Sequence, residues 1–242
     1  MGNFSSWTTD VSQWTVTSLM PSFVPRGQGA RYPDGVNDHY FSAQPQKIAT
    51  DHRFEVNIRG QVFQVHTQDG VFSTHGLDKG SAVFLSKVPQ PDLPPNSLAV
   101  DFGCGWGPIT LALAAEAPAS CVLGVDINER SLELARENAA SAQLNNVTIE
   151  ESTAALARLR AEGKTIDLLW SNPPIRIGKA ELHNLLMDWF SLLSPQGAAF
   201  IVVQKNLGAD SLASWISGQG FSVQKVGSSK GFRVFKIAHA DL

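Results

Sequence analysis

The chain has 242 residues, 43% of them hydrophobic and 17% charged, ordinary for a soluble globular protein and enough for one large α/β domain with an appendage. No apolar run approaches the roughly 18 residues that span a bilayer. The first Lys or Arg is Arg26, so no basic leader is expected. The two cysteines, Cys104 and Cys121, suggest neither a disulfide framework nor a metal site. The expected setting is the cytoplasm, with no membrane partner. A net charge of −3 argues against a uniformly basic nucleic-acid binder. Yet residues 172–242 carry +3 and residues 1–171 carry −6, so a local surface can still attract phosphates.

Residues 1–37 are rich in Ser, Thr, Gly and Pro, show no sustained period, and read as a flexible extension. Residues 38–95 read as a hairpin region and linker. Phe54, Val56 and Ile58 alternate with polar positions, Arg59-Gly60 turns, and Val62–His66 returns. A helix is expected over 82–87, with Ser81 as its N-cap, and the run Pro89–Pro95 as a hinge.

From Ser97 onward, short apolar strands alternate with helical stretches. Strands are expected at 97–102, 120–126, 147–150, 166–171 and 198–203. Helices are expected at 108–117, 129–142, 153–162, 179–193 and 209–217. Two last strands, 221–226 and 232–238, are joined by 227–231, too short for a helical crossover, and should pair antiparallel. Continuous apolar strands suit a sheet covered on both faces. The fold class is therefore α/β: a doubly wound, seven-stranded, mostly parallel sheet with an antiparallel terminal hairpin, preceded by a small β-hairpin region. Its core is residues 96–242. Ligands in such sheets sit beyond the carboxyl ends of the strands.

Two motifs lie at such ends. In Asp101-Phe102-Gly103-Cys104-Gly105-Trp106-Gly107, glycines let the backbone turn sharply near a ligand. Pro108 occupies the place where a dinucleotide fingerprint needs its third glycine. Asp101 would repel a pyrophosphate but attract an amino group, and S-adenosylmethionine has an amino group and no phosphates. Asp126, at the end of the next strand, can accept hydrogen bonds from both ribose hydroxyls. Gly103, Cys104 and Gly105, through their backbone, and Ile127 beside Asp126 complete the expected cofactor set. Ser152 and Thr153 either contact an adenine or cap the following helix.

The second motif is Asn172-Pro173-Pro174-Ile175. Its prolines fix the backbone and remove two donors. The Asn172 side-chain oxygen and the Pro173 carbonyl remain as acceptors for both hydrogens of a planar exocyclic amine. Holding them aims the nitrogen lone pair at a methyl donor by position and electrostatics, without a strong base. Arg176, Lys179, Lys205 and Lys230 are candidates for phosphate contact, against the plainer reading of solvated charges.

Together these residues resemble a class I S-adenosylmethionine-dependent methyltransferase. More narrowly, they are similar to the small methyltransferase domain of the RsmC/RlmG type. The resemblance includes Asp38–Ser42, Asp69–Ser73, Leu77-Asp78-Lys79-Gly80-Ser81, Asn172–Lys179, Val203–Lys205 and Lys230–Val234, and covers about 38–242. It implies N2 methylation of guanine in ribosomal RNA, with that RNA or the small subunit as partner. Asp101, Gly103 and Gly105 would hold the methionine part, Asp126 the ribose, and Asn172-Pro173 the target amine. The longer members carry a second, RNA-binding domain. They also tend to have Phe where this chain has Ile175, which cannot stack on a base. Adenine N6, a glutamine amide, or a non-catalytic cofactor- or RNA-binding role are the alternatives.

Overall fold

The structure, a computed structural model, describes residues 50–240. The extension assigned to 1–37 and the Asp38–Ser42 motif lie outside the described residues.

A two-stranded antiparallel hairpin, β1 (Asp51–Ile58) and β2 (Gln61–Gln68), comes first. Arg59 and Gly60 both take positive φ, 52° and 86°, as the tight hairpin turn between twisted strands requires. Then follow α1 (Lys79–Lys87), β3 (Leu98–Phe102), α2 (Pro108–Glu116), β4 (Cys121–Asp126), α3 (Glu129–Ser141), β5 (Val147–Glu151) and α4 (Ser152–Ala161). β6 (Ile166–Ser171), a short 3-10 turn at Ile175–Ile177, α5 (Lys179–Phe190), β7 (Leu193–Gln204), α6 (Ala209–Gly218), β8 (Phe221–Ser229) and β9 (Phe232–His239) complete it.

The large sheet has the order β5-β4-β3-β6-β7-β9-β8. β3, β4, β5, β6 and β7 are parallel, and β9 runs antiparallel to both β7 and β8. The chain winds outward from β3 through β4 and β5, then crosses to β6 on the other side of β3. The switch point thus lies between β3 and β6, where the crevice of such sheets opens. Phe102 pairs with Ser171 at the carboxyl ends of these strands, and the Ser171 hydroxyl donates to Phe102 O at 2.7 Å. The two motifs are therefore seated side by side.

Alternation along the strands divides the core into two layers. Ala99, Leu168, Trp170, Phe200 and Val202 face α1, α2 and the hairpin. Val100, Leu169, Ile201, Val203 and Ile237 face α4, α5 and α6. α2 is buried from Pro108 to Ala114, because the sheet covers one side and α1 with the hairpin covers the other. The hairpin is latched by Arg59. Its Nε donates to Glu116 Oε1, and its Nη1 to Leu85 O and Val88 O at the end of α1.

Four boundaries differ from expectation. The first helix begins at Lys79 and is capped by Asp78, whose carboxylate accepts from Gly80 N and Ser81 N; Ser81 lies inside it. α5 ends at Phe190, and β7 runs from Leu193. β8 continues to Ser229, leaving a two-residue turn at Lys230-Gly231 with both φ positive. Gly227 stays in the strand because the Lys87 stem packs where its side chain would be, 3.1 Å from an added Cβ.

Candidate functional site

A cleft, partly open to solvent, lies over the carboxyl ends of β3, β4 and β6. Its floor is the loop after β3. Gly103 N and Cys104 N both donate to Val125 O at 2.9 Å, and Gly107 N donates to Cys104 O. Gly103 and Gly105 have φ of 78° and 56°. An added Cβ at Gly105 meets nothing within 4 Å, so glycine there serves the left-handed backbone and leaves the ligand side bare.

Asp126 lines the cleft and braces this loop. Its Oδ2 accepts from Gly105 N at 2.9 Å and its Oδ1 from Asn128 N at 3.0 Å. Burial pushes its carboxyl above the ordinary range, opposed by those backbone hydrogen bonds. Asp101 is fully buried beneath the loop and does not line the cleft. Its Oδ2 accepts from Thr110 Oγ1 at 2.6 Å, while its buried Oδ1 has no hydrogen-bond partner among the described residues. Burial raises its pKa to about 7, against the Thr110 hydrogen bond, and the Asp126 charge adds a smaller push. Cys104 faces the same conditions; burial and the two carboxylates drive its thiol well up, so it is no nucleophile.

Asn172 reaches the cleft from the end of β6. Its Nδ2 donates to Asp78 Oδ1 at 3.2 Å and Ser81 Oγ at 3.1 Å, and all three residues line the cavity. Pro173 is buried and is not among the residues that line the cleft; its carbonyl accepts from Ile175 N at 2.8 Å, leaving one lone pair. Pro174 precedes the 3-10 turn. Ile175 is half-buried and packs into the layer under α5, so it fills core and offers no stacking face.

The structure brings Gly103, Cys104, Gly105, Asp126 and Asn172 to one cavity. It places the other expected cofactor residues outside it. Ile127 is 43% exposed. Ser152 is buried as the first residue of α4, and Thr153 N donates to Glu151 Oε1. Glu151, whose carboxylate accepts from Thr153 N and Ala154 N, is the cap expected of Ser152 or Thr153. The sequence reading missed Phe72, Asp78, Ser81, Trp106 and Ser131 as lining residues. Leu77–Ser81 was noticed as a motif, and the acid before a glycine was the available signal for a cap.

Of the basic candidates, Lys179 is the exposed first residue of α5. Arg176 lies in the 3-10 turn. Lys205 and Lys230 share a groove with Ser228, Ser229, Phe232 and Arg233 at the β8–β9 turn. Lys205 N donates to Gly231 O at 2.8 Å, and Arg233 pairs with Asp210. The groove lies on the same carboxyl edge of the sheet as Asn172, two strands from β6.

The charged side chains lining the cleft are both acids, Asp78 and Asp126, with Asp101 below. That set repels a pyrophosphate and suits a ligand bearing a sulfonium and an ammonium. S-adenosylmethionine is such a ligand, and the buried Asp101 would act on its ammonium through charge. Residues 62–236 match the family described as "Methyltransferase small domain". The chain belongs to this family of S-adenosylmethionine-dependent methyltransferases.

The uncharacterized protein YbxB of Bacillus subtilis is 31% identical over 201 residues, which are 83% of this chain and 98% of that protein. The ribosomal RNA small subunit methyltransferase C of Hahella chejuensis is 30% identical over 176 residues, 71% of this chain and 48% of that enzyme. This chain thus spans about half the length of that methyltransferase. Among solved structures, the T. thermophilus 16S rRNA N2 G1207 methyltransferase (RsmC), in complex with AdoMet and guanosine, superposes with a TM-score of 0.62. It is 20% identical, over 81% of this chain and 52% of that one, a likeness of fold.

Proposed function

We propose that this small-domain methyltransferase methylates the exocyclic N2 amine of a guanine in ribosomal RNA of the small subunit. The observation that carries the reading is the shared cleft: Asn172 lines the same cavity as Asp126 and the Gly103–Gly105 backbone. S-adenosylmethionine supplies an electrophilic methyl on its sulfonium. Asp126 would hold the ribose, and Asp101 would act on the amino group through its charge. Ser152, Thr153 and Ile127 would act from outside the cavity.

Asn172 accepts one amine hydrogen at Oδ1, and Pro173 the second at its remaining lone pair. Drawing both hydrogens into hydrogen bonds favours a pyramidal nitrogen whose lone pair would bond to the methyl as its bond to sulfur breaks; the thioether S-adenosylhomocysteine would leave, and the methylated amine would give up one proton to solvent. Pro174 stiffens the loop that presents them. Phe72 lines the same cleft. Lys205 and Lys230 would meet phosphates near the methylated nucleotide, with Lys179 and Arg176 close to the loop itself. The activity named for the Hahella relative supports an RNA substrate.

The test is transfer of labelled methyl from S-adenosylmethionine to small subunits, and to free ribosomal RNA, from a strain lacking the gene. N2-methylguanosine in the digest is the expected product. Label in N6-methyladenosine or in protein glutamine, or none in RNA, overturns the assignment.

A further inference from the structure

Asn172 can serve as an acceptor only if its amide is held with the oxygen free. The amide donates two hydrogen bonds from Nδ2, to Asp78 Oδ1 and Ser81 Oγ. Among the described residues nothing donates to Asn172 Oδ1. The same Asp78 oxygen accepts from Gly80 N at 2.7 Å and Ser81 N at 3.1 Å as the N-cap of α1. It is therefore committed as an acceptor. Rotating the amide by half a turn would set Asn172 Oδ1 against it, acceptor to acceptor, and forfeit that bond; the Ser81 hydroxyl holds the amide in either sense, so the Asp78 carboxylate is what fixes the direction. Gly80 permits the approach. A Cβ there would lie 2.9 Å from Asp78 Oδ1 and 3.1 Å from both amide atoms of Asn172.

We propose that the first turn of α1, through Asp78, Gly80 and Ser81, is the device that sets the polarity of Asn172. These are positioning residues: they act through Asn172. The consequence is selectivity for a nucleophile that brings N–H donors to the cleft, against one that brings only a carbonyl or ether oxygen. This rests on the reading above that Asn172 holds the target amine.

The test has one arm that needs no RNA substrate. In the full chain labelled with ¹⁵N-asparagine, the Asn172 side-chain amide, assigned by its loss in Asn172→Ala, should show slowed hydrogen exchange. Ser81→Ala should speed that exchange, and Ser81→Thr should restore it. A freely exchanging amide in the unaltered protein overturns the proposal, whatever the substrate proves to be.

The second arm reads single-turnover methylation of small subunits from the gene-less strain. Ser81→Ala should lower the rate about tenfold, the loss of one hydrogen bond to a reacting group, with S-adenosylmethionine affinity and KM for subunits within about twofold. Asn172→Asp faces its carboxylate with Asp78 and should lose about a hundredfold or more. A Ser81→Ala rate equal to the unaltered protein's overturns the proposal. Absence of any RNA methylation by the unaltered protein would sink the substrate reading and leave the amide measurement to decide this one.

Discussion

Replacing Asp101 with Asn should stabilise the free protein above neutral pH while weakening its hold on the cofactor. The carboxyl is fully buried, and its pKa rises from 3.8 to about 7. Between those values the native state keeps a proton that the unfolded chain has released. Stability therefore falls as pH rises, by about 1.4 kcal/mol per unit, and the accumulated cost above pH 7 is about 4 kcal/mol. Asn cannot ionise, so it escapes that cost. Thr110 Oγ1 can still donate to its oxygen, but an amide NH2 then replaces the partnerless Oδ1 and is itself unsatisfied, at about 1–3 kcal/mol. The net expectation is a gain of about 1–3 kcal/mol at pH 8, and a flatter stability profile between pH 4 and 7. Urea unfolding of both proteins across that range measures it. A variant less stable at pH 8, or one that keeps the full slope, refutes the reasoning. The cofactor half of the prediction uses the same group. A bound ammonium near Asp101 should pull its proton off, so binding of S-adenosylmethionine near pH 6 should release protons. Calorimetry in two buffers of different ionisation enthalpy shows this, and Asp101→Asn should abolish it.

Three further outcomes are expected. Arg59→Met strands Glu116, whose side chain is only 10% exposed, and should destabilise by about 3–5 kcal/mol in urea titration, most of it recovered by adding Glu116→Leu. Phe72→Ala should raise KM for small subunits, while S-adenosylmethionine affinity measured by calorimetry stays within about threefold; unchanged kinetics would remove it as a stacking surface. Lys205→Ala with Lys230→Ala should weaken RNA binding and reduce the slope of log K against log salt by up to about 2 if each neutralises a phosphate. An unchanged slope returns both to the solvated surface.

The sheet was legible because strand and helix periods alternate cleanly from Ser97, and because ligands in such sheets gather at carboxyl strand ends. That rule alone places Gly103 beside Asn172. What escaped the sequence depended on distant partners. Gly80 reads locally as a helix breaker, which moved the expected start of α1 past it; its reason is Asn172, ninety-two positions on, whose amide it lets approach. Arg59 reads as a turn residue, and it is one, but its guanidinium also closes the hairpin on α1 and α2. Glu151 capped α4 where Ser152 or Thr153 was expected, because a strand end paired with Asp126 aims its longer side chain back over the first turn. Ile175 has no ring to stack, and only the folded chain shows Phe72 on the cleft wall.

The most direct test of the central claim, that one cleft joins the cofactor loop to an amine-holding asparagine, is a nucleoside map of ribosomal RNA by mass spectrometry. RNA from the gene-less strain would be compared after complementation with the unaltered gene and with Asn172→Ala. One N2-methylguanosine should vanish without the gene, return with the unaltered protein, and stay absent with Asn172→Ala although that variant still binds S-adenosylmethionine. A map unchanged by loss of the gene, or a modification restored by Asn172→Ala, would contradict the account.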